Sequence, residues 1–320
     1  MHEGGNEAMN TETKWIIAGA SAVGAVAALG LLARRSGYSF QDKAVFITGG
    51  SRGLGLLMAR EFAEQGARLT LVSRDSESLE AAESELMDLG TSVLTLSCDV
   101  RDRAQVQGAI DASVRTHGAI DVLVNNAGII QVGPFEEMQL EDFETAMATH
   151  AWGPLYTTLA ALPYMRRQCG GRIVNISSIG GKISVPHLLP YTMSKFALAG
   201  LSDGLRAELR KYNIFVTSVY PGLMRTGSHV FAHAKGNEKG ESAWFSFLAT
   251  NRLLAINPQR AAYEIVEACR KGKPELVISI PANLGVLAAG VAPGLVARLN
   301  AIVDRFLPKP VTKAEERRTA

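Results

Sequence analysis

Seven short runs of aliphatic and β-branched residues alternate with longer stretches of helical period between Lys43 and Ile280, and this alternation constrains the fold more than any other feature. The runs occupy residues 44–48, 68–72, 93–97, 122–125, 173–176, 215–219 and 276–280. Runs this short and this apolar are buried on both faces, the condition of a parallel sheet covered by helices on each side. Helix punctuation falls between them: Gly66 ends one helix, Asp75-Ser76 opens the next and Gly90 closes it. No repeat, low-complexity tract or Pro/Ser-rich hinge divides residues 41–308. The expectation is an α/β fold, one doubly wound domain on a parallel seven-stranded sheet.

A chain of 320 residues with 47% apolar content can bury a sizeable core, which excludes disordered and fibrous classes. Its 33 Lys+Arg against 31 Asp+Glu leave a net charge of only +2, which argues against a general polyanion surface and against nucleic acid as a partner. Cys98, Cys169 and Cys269 form no metal-ligand spacing, so no metal is expected, and they are read as buried apolar thiols in a reducing compartment.

The first run passes directly into Thr48-Gly49-Gly50-Ser51-Arg52-Gly53-Leu54-Gly55 and then an apolar helical pattern. A glycine turn between strand and helix lets backbone approach a pyrophosphate, which the helix N-terminus holds through its N–H groups and dipole. The second run ends at Ser73-Arg74, where an NAD-binding domain commonly places a carboxylate for the adenosine 2′-hydroxyl. Arg74 and Arg52 instead suit a 2′-phosphate, so NADP(H) is the expected cofactor. Asp75 mildly opposes this, but it has a capping position to fill.

Tyr191-Thr-Met-Ser-Lys195 opens a helical segment, which sets a phenol and an ammonium one turn apart on one face. A fixed neighbouring cation favours the phenolate and is expected to bring Tyr191 towards a usable range. Ser178, thirteen residues earlier at the exit of the fifth run, is placed to bind a carbonyl oxygen while Tyr191 donates to it.

With these motifs in order, joined by Asn125-Asn126-Ala127-Gly128, Asp99-Val100 and Pro221-Gly222 with Thr226, residues 43–280 resemble the short-chain dehydrogenase/reductase family, a Rossmann-like fold. The resemblance implies hydride transfer at a nicotinamide, with Tyr191 as general acid/base, Ser178 polarising the substrate oxygen, and Lys195 lowering the Tyr191 pKa and holding the nicotinamide ribose. It further implies Asp99 near the adenine, Asn126 and Gly128 supporting the cofactor pocket, and Thr226 near the nicotinamide amide. It also implies pairing of subunits, as a homodimer or homotetramer, through the helices that carry His150 and Tyr191.

One position departs from the family, which has asparagine where this chain has His150 in His150-Ala-Trp-Gly153. Two readings stand: a relay in the proton path from Lys195, which makes His150 a fourth catalytic member, or a packed helix histidine. Residues 227–258 are too long for a bare connection and offer Val230, Phe231, Trp244, Phe245, Phe247 and Leu248 to a substrate pocket opposite residues 185–190. An apolar, lipid-like ketone is the expected substrate, and NADPH favours its reduction. The alternatives are a 3-oxoacyl thioester reductase, or a dinucleotide-binding membrane scaffold without turnover.

At the N-terminus, residues 15–33 are nineteen uncharged positions, read as a transmembrane anchor after a disordered segment 1–14. Seven alanines and three glycines keep open a helix packed on its own domain, and a signal peptide lacks its basic start. Arg34, Arg35 and Lys43 follow the run and place the catalytic bulk in the cytoplasm; a soluble cytoplasmic protein is the alternative. Pro281 and Pro293 interrupt a second uncharged stretch, from which residues 283–307 are left as an apolar helix on a membrane face or in the core, before a charged tail at 309–320.

Overall fold

Strand β1 (Ala44–Thr48) is buried at all five positions, because it lies at the middle of the sheet with helices on both sides. The computed structural model describes residues 37–251 and 255–309, and from Ser39 onward they belong to one unit. The other strands are β2 (Arg68–Ser73), β3 (Val93–Ser97), β4 (Val122–Asn125), β6 (Gly171–Ile176), β7 (Ile214–Pro221) and β9 (Glu275–Ile278). All seven pair in parallel in the order β3-β2-β1-β4-β6-β7-β9. The chain winds one way from β1 to β3 and the other way from β4 to β9, so the order reverses between β1 and β4. A crevice opens there at the strands' C-terminal ends, where doubly wound folds bind ligands. Two short strands, β5 (Gln131–Val132) and β8 (His233–Ala234), pair beside this crevice.

The flanking helices are α1 (Gly53–Ala63), α2 (Ser76–Asp88), α3 (Arg103–His117), α4 (Leu140–Met147), α5 (Gly153–Arg167), α6 (Leu189–Leu209), α7 (Glu238–Thr250), α8 (Pro258–Lys271), α9 (Ile280–Val291) and α10 (Pro293–Asp304). Helix α1 packs on α2 and α8, α3 packs on α5, and α4 packs on α6. Phe46, Val72, Ile110, Leu123, Ala161 and Ile173 join α3 and α5 to the sheet in one buried cluster. The predicted capping of α2 is present, with the Asp75 carboxylate accepting from Ser78 N at 3.2 Å.

Three expectations need correction. The seventh strand ends at Ile278 rather than Ile280, because Ser279 takes φ +102° and its hydroxyl accepts from Ala282 N, which starts α9. Pro281 and Pro293 interrupt the uncharged stretch as expected, but residues 283–307 hold two helices rather than one, because each proline sits in the first turn of α9 or α10, where a missing N–H costs nothing. Cys98 and Cys269 are buried, and burial pushes their thiols up to about 11 and about 12, but Cys169 is exposed in a left-handed turn after α5. Residues 15–33 lie outside the described residues, among which no helix is long and apolar enough to cross a membrane.

Candidate active site

The turn after β1 has room for little but glycine. Gly49 and Gly53 adopt φ +63° and +55°, and a Cβ on Gly55 would overlap the Gly49 carbonyl oxygen and stand 2.7 Å from Asn126 Nδ2. Across the crevice, Asn126 Nδ2 donates to the Thr48 and Gly49 carbonyls at 3.1 and 3.0 Å, and Thr48 Oγ1 accepts from the Asn126 and Ala127 N–H groups. The turns after β1 and β4 are thereby fastened together. No side chain caps the N-terminus of α1, whose first residues Gly53 and Leu54 line the crevice, an arrangement suited to an anion. The residues present fit the diphosphate of a dinucleotide.

At the end of β2 the charges are crowded. Arg52, Arg74 and Arg101 line the cleft together with Asp75, Asp99 and Val100. Arg52 Nη1 lies 3.4 Å from Asp75 Oδ2, and its guanidinium stacks 3.9 Å from the centre of the Phe231 ring. Bonds from Ser78, with Arg52 nearby, hold the Asp75 carboxyl below its ordinary value. The Arg101 guanidinium grips Asp99 at 2.6–3.0 Å and lowers its pKa, with Arg74 adding to the same effect. Sequence reasoning missed Arg101, whose signal was its spacing two residues after Asp99. Phe231, offered to the substrate pocket, lines the same cavity, and its ring also covers Arg52.

Ser178 follows β6, with its hydroxyl accepting from Gly180 N at 3.1 Å. Tyr191 stands in the first turn of α6, its hydroxyl near that of Ser178, and Lys195 follows one turn later. Lys195 Nζ donates to the Ile176 carbonyl at 2.9 Å and lies 5.5 Å from the centre of the Tyr191 ring. All three side chains line one cavity of about 420 Å³ with the glycine turn, Asn126, Ala127, Gly128, Pro221, Gly222 and Thr226. Gly49, Ser51, Arg52, Gly53 and Leu54 also line it, whereas Gly55 lies beneath the turn it allows to close.

The expected lowering of the Tyr191 pKa by Lys195 is not found in the chain alone. Burial raises the phenol, opposed in part by the nearby Ser178 hydroxyl, and burial also lowers Lys195 to about 7. An amine whose pKa burial lowers to about 7, and that is turned to a backbone carbonyl, lends its neighbour little field.

His150 is buried in a π-helical turn, Ala148–Trp152, between α4 and α5. The Ile129 N–H donates to Nε2 at 3.1 Å, which assigns the ring proton to Nδ1. Nδ1 then donates to Ser194 Oγ at 2.7 Å, and the Ser194 hydroxyl donates to the Tyr191 carbonyl at 2.8 Å. Burial and the nearby Lys195 charge push His150 well below its ordinary pKa. Both nitrogens are thus committed and the ring is neutral, and His150 also lines the cavity. Behind the site Asn125, Asn175, Thr157 and Ser202 form a buried network of bonds of 2.6–2.8 Å, which the sequence reading did not find; its signal was an asparagine on each of β4 and β6.

On the substrate side, His187 Nδ1 lies 2.7 Å from Glu241 Oε1, and Trp244 Nε1 donates to Glu241 Oε2 at 2.5 Å. This ties α7 to the loop before Tyr191 over a cluster of Val132, Leu188 and Phe245. Val230 and Phe247 point to solvent, so only part of the expected apolar wall is assembled.

Residues 43–235 match the family model described as short chain dehydrogenase. The chain is 34% identical over 268 residues to dehydrogenase/reductase SDR family member 7B of Bos taurus, covering 82% of this chain and 81% of that one. It is 32% identical over 255 residues to 3-ketodihydrosphingosine reductase of Bos taurus, covering 78% and 75%. Among solved structures, a short-chain dehydrogenase/reductase of Burkholderia phymatum in complex with NAD superposes with TM-score 0.75 at 23% identity, covering 81% of this chain and 96% of that one. The chain belongs to the short-chain dehydrogenase/reductase family of oxidoreductases, whose fold binds a nicotinamide dinucleotide.

Proposed function

We propose that the protein reduces an apolar, lipid-like ketone to a secondary alcohol with NADPH. The observation that carries this reading is the meeting of the Ser178, Tyr191 and Lys195 side chains with the glycine cradle in one cavity. A bound nicotinamide supplies the hydride. Ser178 and Tyr191 receive the substrate oxygen between their hydroxyls, and Tyr191 gives it a proton as charge develops there. In the field of an anionic dinucleotide, the pKa of Lys195 is raised and the ammonium is favoured, which then favours the phenolate that Tyr191 leaves behind. His150 acts at one remove, fixing the Tyr191 backbone through Ser194. The preference for reduction rests on the cofactor, since the chemistry is reversible.

For NADP(H), the support is Arg52 and Arg74 lining the cleft where Asp75, the nearest acid after β2, is engaged in capping. For the substrate, the support is the apolar cluster before Tyr191 and the relative named 3-ketodihydrosphingosine reductase. The reading includes a membrane anchor at residues 15–33, a cytoplasmic catalytic part and a homodimer or homotetramer. Steady-state KM values for NADPH and NADH, measured across a panel of hydrophobic ketones, test it. NADPH should have the lower KM, and Arg52→Ala and Arg74→Ala should each raise it about tenfold while leaving that for NADH in place. Equal values for the two cofactors, or a lower one for NADH, would overturn the arginine assignment.

A further inference from the structure

Leu284, Leu287 and Val291 fall on one face of α9, and Leu295, Leu299 and Phe306 continue the stripe along α10 and the turn after it. All six are exposed, from 51% at Leu299 to 84% at Phe306, although the two helices pack on each other. Residues 276–297 contain no charged side chain. Beyond them Arg298, Arg305 and Lys309 are exposed, against one acid, Asp304, which lies 3.6 Å from His187 Nε2. A contiguous apolar face of this kind marks an interaction surface.

Each helix has twelve residues, too few to cross a bilayer, so the hairpin suits the plane of an interface. The basic rim complements anionic headgroups, whereas a second copy laid face to face would bring like charges together. The same element touches the substrate side. Asn300 Nδ2 donates to the Ser184 carbonyl at 2.8 Å, and α10 borders an open cleft of about 700 Å³ with Val185, Pro186, His187 and Leu189, just before Tyr191.

We propose that the α9–α10 hairpin lies in the surface of an anionic bilayer, with its leucine stripe among the acyl chains and Arg298, Arg305 and Lys309 at the headgroups. That an apolar ketone then reaches the site from the bilayer rests on the reading above; the docking itself does not. The full chain is mixed with vesicles of phosphatidylcholine, with or without phosphatidylserine, carrying a photoactivatable acyl chain, and the labelled peptides are mapped by mass spectrometry.

Label should concentrate in residues 280–306, rise with phosphatidylserine, and fall about tenfold in Leu287→Asp/Leu299→Asp. Arg298→Glu/Arg305→Glu, which leaves the apolar stripe intact, should lose only the phosphatidylserine effect. Label absent from 280–306, label confined to residues 15–33, or a dimer that the leucine pair dissociates while lipid labelling is unchanged would each overturn the proposal. Labelling needs no turnover, so its failure would leave the ketone-reductase reading standing, and an inactive but labelled protein would do the reverse.

Discussion

At His150 both ring nitrogens have fixed partners, Ile129 N and Ser194 Oγ, so a second ring proton would break the bond to Ile129. The folded state holds this imidazole neutral, while in the unfolded chain it titrates near 6.5. Below that pH the unfolded state binds the extra proton, and stability falls as pH falls, by about 1.4 kcal/mol per pH unit for one proton. Buried His117 shifts in the same direction. The drop in Tm between pH 7 and pH 5 should therefore be smaller in His150→Asn than in the parent, and an unchanged drop would remove His150 from this role. If it only positions Tyr191, the variant's pH–kcat profile should also keep its shape. Lys195 carries the same sign of balance at higher pH, since burial lowers it from 10.5 to about 7 and its ammonium costs stability in the folded chain at neutral pH. Lys195→Met should raise Tm at pH 7 while kcat collapses, a trade expected of a site group; a fall in Tm would contradict the desolvation argument. Tyr191, Lys195 and Ser178 were legible because helix spacing and strand exits fix their neighbourhood. The pKa of the phenol was not, because it depends on burial and on where Lys195 Nζ points, and neither is a property of spacing.

The strand–turn–helix unit of β1 and α1 was legible in sequence, with the strand at 44–48 as expected, but the helix starts at Gly53, inside the glycine run, rather than after Gly55. What stayed hidden is its fastening to the turn after β4 through Asn126 and Thr48, a contact between residues 78 apart. Gly55 is the tightest point, and Gly55→Ala must displace either the Gly49 carbonyl or Asn126. The expected result is cofactor affinity lower by about a hundredfold, equivalent to about 2.7 kcal/mol, measured by titration, with the sheet still folded by circular dichroism. Affinity within threefold of the parent would show that the turn is not the diphosphate cradle. The C-terminal helices show the opposite case, because an uncharged stretch with two prolines reads equally as a broken core segment or as two helices, and only packing decides where the strand stops.

Across the whole molecule, the reversal of strand order between β1 and β4 opens one crevice, and β6 and α6 deliver Ser178, Tyr191 and Lys195 to it from the far side. Seven alternating runs were enough to foresee the parallel sheet, and parallel pairing brings the C-terminal ends of its strands to the same edge. The apolar hairpin at the C-terminus lies outside that logic, since alternation says nothing about a face the sheet does not cover. The central claim is that the dinucleotide cradle and the Tyr191 proton donor serve one reaction at this edge. It is tested most directly by kcat for NADPH-dependent reduction of a hydrophobic ketone in the parent and in Tyr191→Phe, with the cofactor Kd measured alongside. The account predicts a fall of about a thousandfold in kcat with Kd unchanged, and Tyr191→Phe turning over at the parent's rate would contradict it.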